Sequence, residues 1–120
     1  MPTETLERPQ AEIQTSSQIK TAVGLRIRES GGTQEQYDAA MEELDVENNP
    51  IEGLIFHSSG PVEGGWGTID VWESREAFDR FQEDWIDPAF QVLSDRGYEQ
   101  PAESVVEEFT VTNYITHTGR

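Results

Sequence analysis

The sequence predicts an α+β domain, a four-stranded antiparallel sheet with two helices packed on it. Three observations predict it. Residues 53–81 read as strand, Gly/Pro-rich turn, strand and capped amphipathic helix. Within that stretch the apolar period changes from 2 to 3.6, at Glu73-Ser74. A strand and a helix precede the stretch, and a further strand follows it. The order strand-helix-strand-strand-helix-strand is the βαββαβ unit of a ferredoxin-like fold. Helices cover only one face of such a sheet, so the other face needs a partner, and a pocket often lies between sheet and helices.

The elements follow in chain order. Residues 1–18 are polar, hold two prolines and show no period, which predicts a flexible arm. Leu6 and Ile13 could dock that arm on a neighbour. The domain proper is expected over residues 19–116, with residues 117–120 as a tail. Strand one is predicted over Ile19 to Glu29, with Val23, Leu25 and Ile27 on one face and Ala22, Gly24, Arg26 and Arg28 on the other. Ser30-Gly31-Gly32 breaks it. Thr33 then caps a helix, and Gln36 three residues later completes a capping box. Tyr37, Ala40, Met41 and Leu44 make one apolar stripe, and the helix ends before Asn48-Asn49-Pro50.

Strand two is predicted over Gly53 to Ser59, with Leu54 and Phe56 on one face and Ile55 and His57 on the other. Gly60 to Gly65 reads as a hairpin loop. Strand three follows over Trp66 to Glu73, with Trp66, Thr68, Asp70 and Trp72 on one face and Gly67, Ile69 and Val71 on the other. Ser74 caps the second helix, whose stripe is Ala77, Phe78, Phe81 and Trp85. Asp87-Pro88 reads as a second cap with Pro at the first helical position, so that the helix kinks and resumes. Gly97 stops it. Strand four is expected over about Ser104 to Thr116, with Val105, Phe109, Val111 and Ile115 nearly on one parity.

Composition narrows the function classes. The 120 residues make one domain with a modest core, and apolar residues are only 34% of it. The net charge is −16, from 24 acidic and 8 basic residues. That field repels phosphate backbones and anionic lipid, so nucleic acid and membrane are poor partners. Seven of the eight basic residues are Arg. An acidic, Lys-poor surface suits high intracellular salt, and equally an organism that favours Arg over Lys. There is no Cys, which removes disulfides, thiol nucleophiles and Cys-based metal sites. No secretory signal and no spanning apolar run is present, so the expected location is cytoplasmic.

Asp70-Val71-Trp72-Glu73-Ser74, Arg75-Glu76-Ala77-Phe78 and the Asp87-Pro88-Ala89-Phe90 break resemble the dimeric α+β-barrel superfamily. That superfamily includes antibiotic-biosynthesis-monooxygenase-like and stress-responsive barrel domains, and the likeness covers about residues 20–116. The resemblance implies a homodimer with two four-stranded sheets face to face, and a small apolar pocket in each subunit. Relatives oxidise or cyclise aromatic polyketides without a cofactor, or cleave haem, and many have no known activity. Several place His at the break in helix two, where this chain has Asp87 and Phe90. The Asn/Arg/Trp set expected of a haem degrader is also missing.

His57 is the one His inside the predicted fold, and a neutral imidazole can take a proton from a phenol or an activated carbon acid. The competing reading is a structural His in the sheet or at the dimer seam. Asp70 is expected to be paired, since an unpaired buried carboxylate is costly. Its simplest partner is Arg26, because strands one and three are neighbours in this topology; the alternative is that Asp70 orients His57. Tyr37, Trp66, Phe78, Phe81 and Trp85 could line a pocket for a small apolar or aromatic ligand, or be plain core. Trp72 is expected at the dimer seam, on one sheet face with Trp66 and Ala22. No metal-ligand spacing, phosphate loop or serine-hydrolase motif is present, and no cofactor is expected. The leading function is cofactor-independent monooxygenase-like or cyclase-like chemistry on an aromatic or polyketide-like molecule. The alternatives are a non-catalytic ligand-binding or stress-related protein with the same pocket, and a pure dimerisation module without one.

Overall fold

The computed structural model describes residues 21–115. The expected arm over 1–18, the first residues of strand one and the tail over 117–120 lie outside the described residues. The strands are β1 (Ala22–Ser30), β2 (Leu54–Val62), β3 (Gly65–Trp72) and β4 (Glu103–Val111). The helices are α1 (Gln34–Leu44), α2 (Arg75–Phe81) and α3 (Asp87–Asp95). The sheet is antiparallel in the order β2-β3-β1-β4, a ferredoxin-like arrangement.

Local chemistry sets the ends of the elements. Thr33 and Gln36 form both bonds of the capping box, and Asp45 closes α1 in the left-handed region at φ 52°. Ser74 accepts from the Ala77 N–H at the start of α2. At the end of α3, Gly97 takes φ 96°, its N–H donates to the Ser94 carbonyl, and the Tyr98 N–H donates to the Leu93 carbonyl. These two bonds are the Schellman pattern, which only a residue at ease with positive φ permits. The β2–β3 hairpin is tighter than predicted. Gly60, Pro61 and Val62 belong to β2 and Gly65 to β3, leaving Glu63-Gly64 as the turn. Strand four is shorter than predicted and stops at Val111, so Ile115 follows it exposed.

Two single-residue phase slips decide which side chains reach the helix-covered face. The first is a bulge in β2. Leu54 lies across from Trp72, but Phe56 lies across from Val71 and His57 from Asp70, so Ile55 is an extra residue. The predicted alternation therefore fails, and Leu54 and His57 share a face while Phe56 takes the other. The second is a π turn, Gln82–Ile86, which joins α2 to α3 without a break. The Asp87 N–H donates to the Gln82 carbonyl five residues back. Asp87 is thus not a second cap; its side chain accepts from Gln82 Nε2 at 2.9 Å. Pro88 explains the wide turn, since its ring has no N–H to donate and would clash with an α-helical carbonyl four residues back. The extra residue moves the apolar stripe from Trp85, which is 43% exposed, to Ile86.

The core lies between the sheet and the helices. Trp72, 1% exposed, and Leu25 are its fully buried members, with Ala77 and Phe78 against them. Trp72 meets Phe78 edge-on and Phe81 at a tilt, each at 5.6 Å between ring centroids. Trp72 and Trp66 therefore belong to the helix-covered face and not to a dimer seam, and Ala22 lies on the opposite face. The uncovered face carries the row Phe56-Val71-Gly24-Phe109 and the row Ser58-Ile69-Arg26-Glu107. Phe56, Ile69, Val105 and Phe109 are exposed on it. The Phe109 ring covers Gly24 so closely that a Cβ there would collide with it. Among the described residues, no helix is long and apolar enough to cross a membrane.

Candidate functional site

A cavity of about 620 Å³ opens between the helix-covered face and the helices. Its walls are mostly apolar, with Ile27 and Leu54 from the sheet, Leu44 from α1 and Phe78 from α2. Tyr37, Trp66, Phe81, His57 and Asp70 also border it, together with Trp72 and Ile86. Trp85, expected as lining, does not border the cavity, because the π turn points it to solvent.

Tyr37, His57, Asp70 and Trp72 form one chain of hydrogen bonds. Asp70 sits on β3 directly across from His57 on β2, and Leu25 flanks it on β1. Asp70 Oδ1 is 2.7 Å from His57 Nδ1, and Asp70 Oδ2 accepts from Trp72 Nε1 at 3.2 Å. His57 Nε2 is 2.7 Å from the Tyr37 hydroxyl on α1. The His57 side chain is 31% exposed and that of Asp70 only 8%, so the chain runs inward from the cavity mouth. A carboxylate accepts only, which places a proton on Nδ1 and leaves Nε2 to accept from the Tyr37 hydroxyl. The Tyr37 ring also lies 5.1 Å from that of Trp66, so α1 holds the hydroxyl in place by packing as well as by bonding.

The expected Arg26–Asp70 pair does not form. Arg26 is on the uncovered face, where it donates to Glu107 at 3.1 Å, while Asp70 is on the covered face. Parity separates them, and the alternative partner, His57, takes the carboxylate.

This arrangement can move a proton. Transfer from Tyr37 Oη to His57 Nε2 gives a tyrosinate and an imidazolium, and the Asp70 carboxylate stabilises the imidazolium. The tyrosinate can then take a proton from an acidic phenol or an activated C–H. Among the described residues, no three ligating side chains converge in a way that could hold a metal ion.

Two cavity features escaped the sequence reading. The first is Tyr37 as a third member of the chain, since nothing in a helical stripe says that its hydroxyl will meet a strand His. The second is Glu29, which lines the cavity from β1. Burial pushes its carboxyl above the ordinary value of 4.5. Its signal was available, because Glu29 continues the parity of Val23, Leu25 and Ile27.

No protein-family model matches the sequence, and no curated protein matches it. Solved structures do resemble it. A protein of unknown function from Nitrosomonas europaea superposes with a TM-score of 0.61 at 13% identity, over 84% of this chain and 99% of that one. A conserved protein from Methanosarcina mazei superposes with a TM-score of 0.53 at 17% identity, over 77% and 94%. SnoaB, a cofactor-independent oxygenase from Streptomyces nogalater, is a looser likeness, with a TM-score of 0.45 at 16% identity over 83% and 99%. At these identities the first two show a shared fold and nothing of activity.

Proposed function

We propose that this chain binds a small aromatic or polyketide-like molecule in the cavity and starts cofactor-independent chemistry on it by removing a proton. The observation that carries this reading is the Tyr37–His57–Asp70 chain, two bonds of 2.7 Å at the mouth of a cavity of about 620 Å³. A cavity of this kind with few convergent polar groups is the usual form of a small-molecule site. Once the ligand is an anion, it can react with dissolved oxygen, as in monooxygenation, or close a ring. Tyr37, Trp66, Phe78 and Phe81 would hold the ligand's rings. Membership of the dimeric α+β-barrel superfamily, which the sequence markers resemble, belongs to the same proposal. So does a homodimer, whose second copy would seat on the uncovered face.

A second reading keeps the cavity and drops the chemistry. His57 Nε2 is already engaged by Tyr37, and a closed chain of this sort also serves to hold α1 on the sheet. A panel of phenols and 1,3-diketones separates the two, with oxygen uptake and product formation as readouts. On the catalytic reading, Tyr37→Phe and His57→Ala each lower turnover about 10²–10⁴-fold while the cavity still takes up a hydrophobic dye. Turnover unchanged in both variants would leave the binding reading alone standing.

A further inference from the structure

Glu29 is the one carboxylate on the cavity wall that the hydrogen-bond chain does not use. It lies on β1 across from Trp66 on β3 and Ser104 on β4, at the same end of the sheet. Leu25, which flanks Asp70, is four residues away, about 13 Å along the strand. The cavity therefore has a carboxylate toward each end of the sheet, with Ile27 and Thr68 between them. Among the described residues, Glu29 forms no side-chain hydrogen bond and no ion pair, and no Lys or Arg lines the cavity.

A carboxylate withdrawn from water without a partner costs stability. A Gln or Leu at this strand position would avoid that cost, so the acid needs another explanation. Part of its desolvation is already incurred in the empty protein, where Glu29 is half-buried. A ligand cation arriving beside it gains the attraction at a reduced further cost of desolvating the acid, which is preorganisation in electrostatic form. The net charge of −16 favours the same sign of ligand at the cavity mouth and disfavours anions.

We infer that Glu29 is a specificity residue for a cationic amine. The cavity takes a molecule with an aromatic or apolar body and a protonated amine, which pairs with Glu29 while the body's acidic group lies against Tyr37 and His57. This assignment rests on the cavity being the ligand site, as proposed above.

Three probes share one body and differ in charge: 2-naphthylmethylammonium, 2-naphthylmethanol and 2-naphthoate. Calorimetric titration should rank them ammonium, alcohol, carboxylate, with the ammonium ahead of the alcohol by about tenfold or more, as a charge-assisted bond provides. Glu29→Gln should bring ammonium and alcohol within about twofold of each other. Glu83→Gln makes the same change of net charge on an exposed residue and should leave the tenfold preference in place. A preference surviving in Glu29→Gln, or lost equally in both variants, overturns the assignment and leaves the cavity reading intact. Failure of all three probes to bind overturns both. If Glu29→Gln does not fold, the carboxyl carbon resonance of Glu29 in the wild type decides: it should shift with the ammonium and not with the alcohol, and the reverse overturns the assignment.

Discussion

His57 Nδ1 lies 2.7 Å from Asp70 Oδ1 because Ile55 is surplus to the ladder. Without that bulge, the alternation of β2 would place His57 across from Ile69, on the uncovered face. The contact that organises the site thus depends on one irregular residue two positions upstream.

The tautomer of His57 can be tested through Asp70. Asp70→Asn turns an acceptor into a group that can donate to Nδ1. The imidazole proton should then move to Nε2, which can no longer accept from Tyr37. Nitrogen-15 shifts of the His57 ring should show protonated Nδ1 in the wild type and protonated Nε2 in the variant. Turnover, once a substrate is found, should fall about as far as in His57→Ala. An unchanged tautomer would remove the proton path from Tyr37 to His57.

Glu29 should make stability depend on pH. Its proton is held more tightly in the folded chain than in the unfolded one, because burial disfavours the carboxylate. Stability from this residue is therefore greatest below the ordinary value of 4.5 and is lost as pH rises through the raised folded value. Glu29→Gln should melt higher than the wild type at about pH 7, with the gap closing toward about pH 4. The opposite order would mean that a partner holds the Glu29 carboxylate.

The uncovered face should be an interface between two copies of the chain. Light scattering after size exclusion should give about twice 13.6 kDa for the wild type. Ile69→Glu places a charge among Phe56, Val105 and Phe109 on that face and should give a mass near 13.6 kDa with the fold retained. A wild-type monomer at micromolar concentration, in dilute buffer and in molar salt alike, would end the barrel proposal.

Salt should stabilise the protein. With a net charge of −16, self-repulsion weakens as the screening length falls from ~10 Å at 0.1 M to ~3 Å at 1 M. The melting temperature should climb between those sodium chloride concentrations. A flat or falling curve would count against an adaptation to high salt.

Much of this structure was legible in the sequence. Thr33-Gln36, Ser74 and Gly97 announced helix ends that the structure shows, and alternation grouped the residues within β1 and within β3 correctly. Alternation does not say which group the helices cover, and Trp66 and Trp72 lie on the opposite face from Ala22 rather than beside it. The order of elements carried the topology, and with it the β1–β3 pairing. Periodicity failed where one residue was added. Ile55 in β2 and the π turn before Pro88 each shift the phase by one, so simple alternation sets His57 away from Leu54 and a simple helical stripe includes Trp85 in place of Ile86. Neither slip leaves a mark in a run of apolar residues. Pro88 was visible, but a cap at Asp87 is as natural a reading of Asp-Pro as a π turn. Partner choice was illegible for another reason: the ion pair of Arg26 depended on Glu107, which lies far away in sequence but opposite in register.

The π turn also divides the three tryptophans by their optical surroundings. Trp85 faces solvent, while Trp66 and Trp72 border the cavity and are nearly buried. Emission should hold a red-shifted component that acrylamide quenches readily and a blue component that it does not. A ligand entering the cavity perturbs the second and leaves the first as an internal reference, so a Trp85→Phe protein would report occupancy of the cavity with no added label.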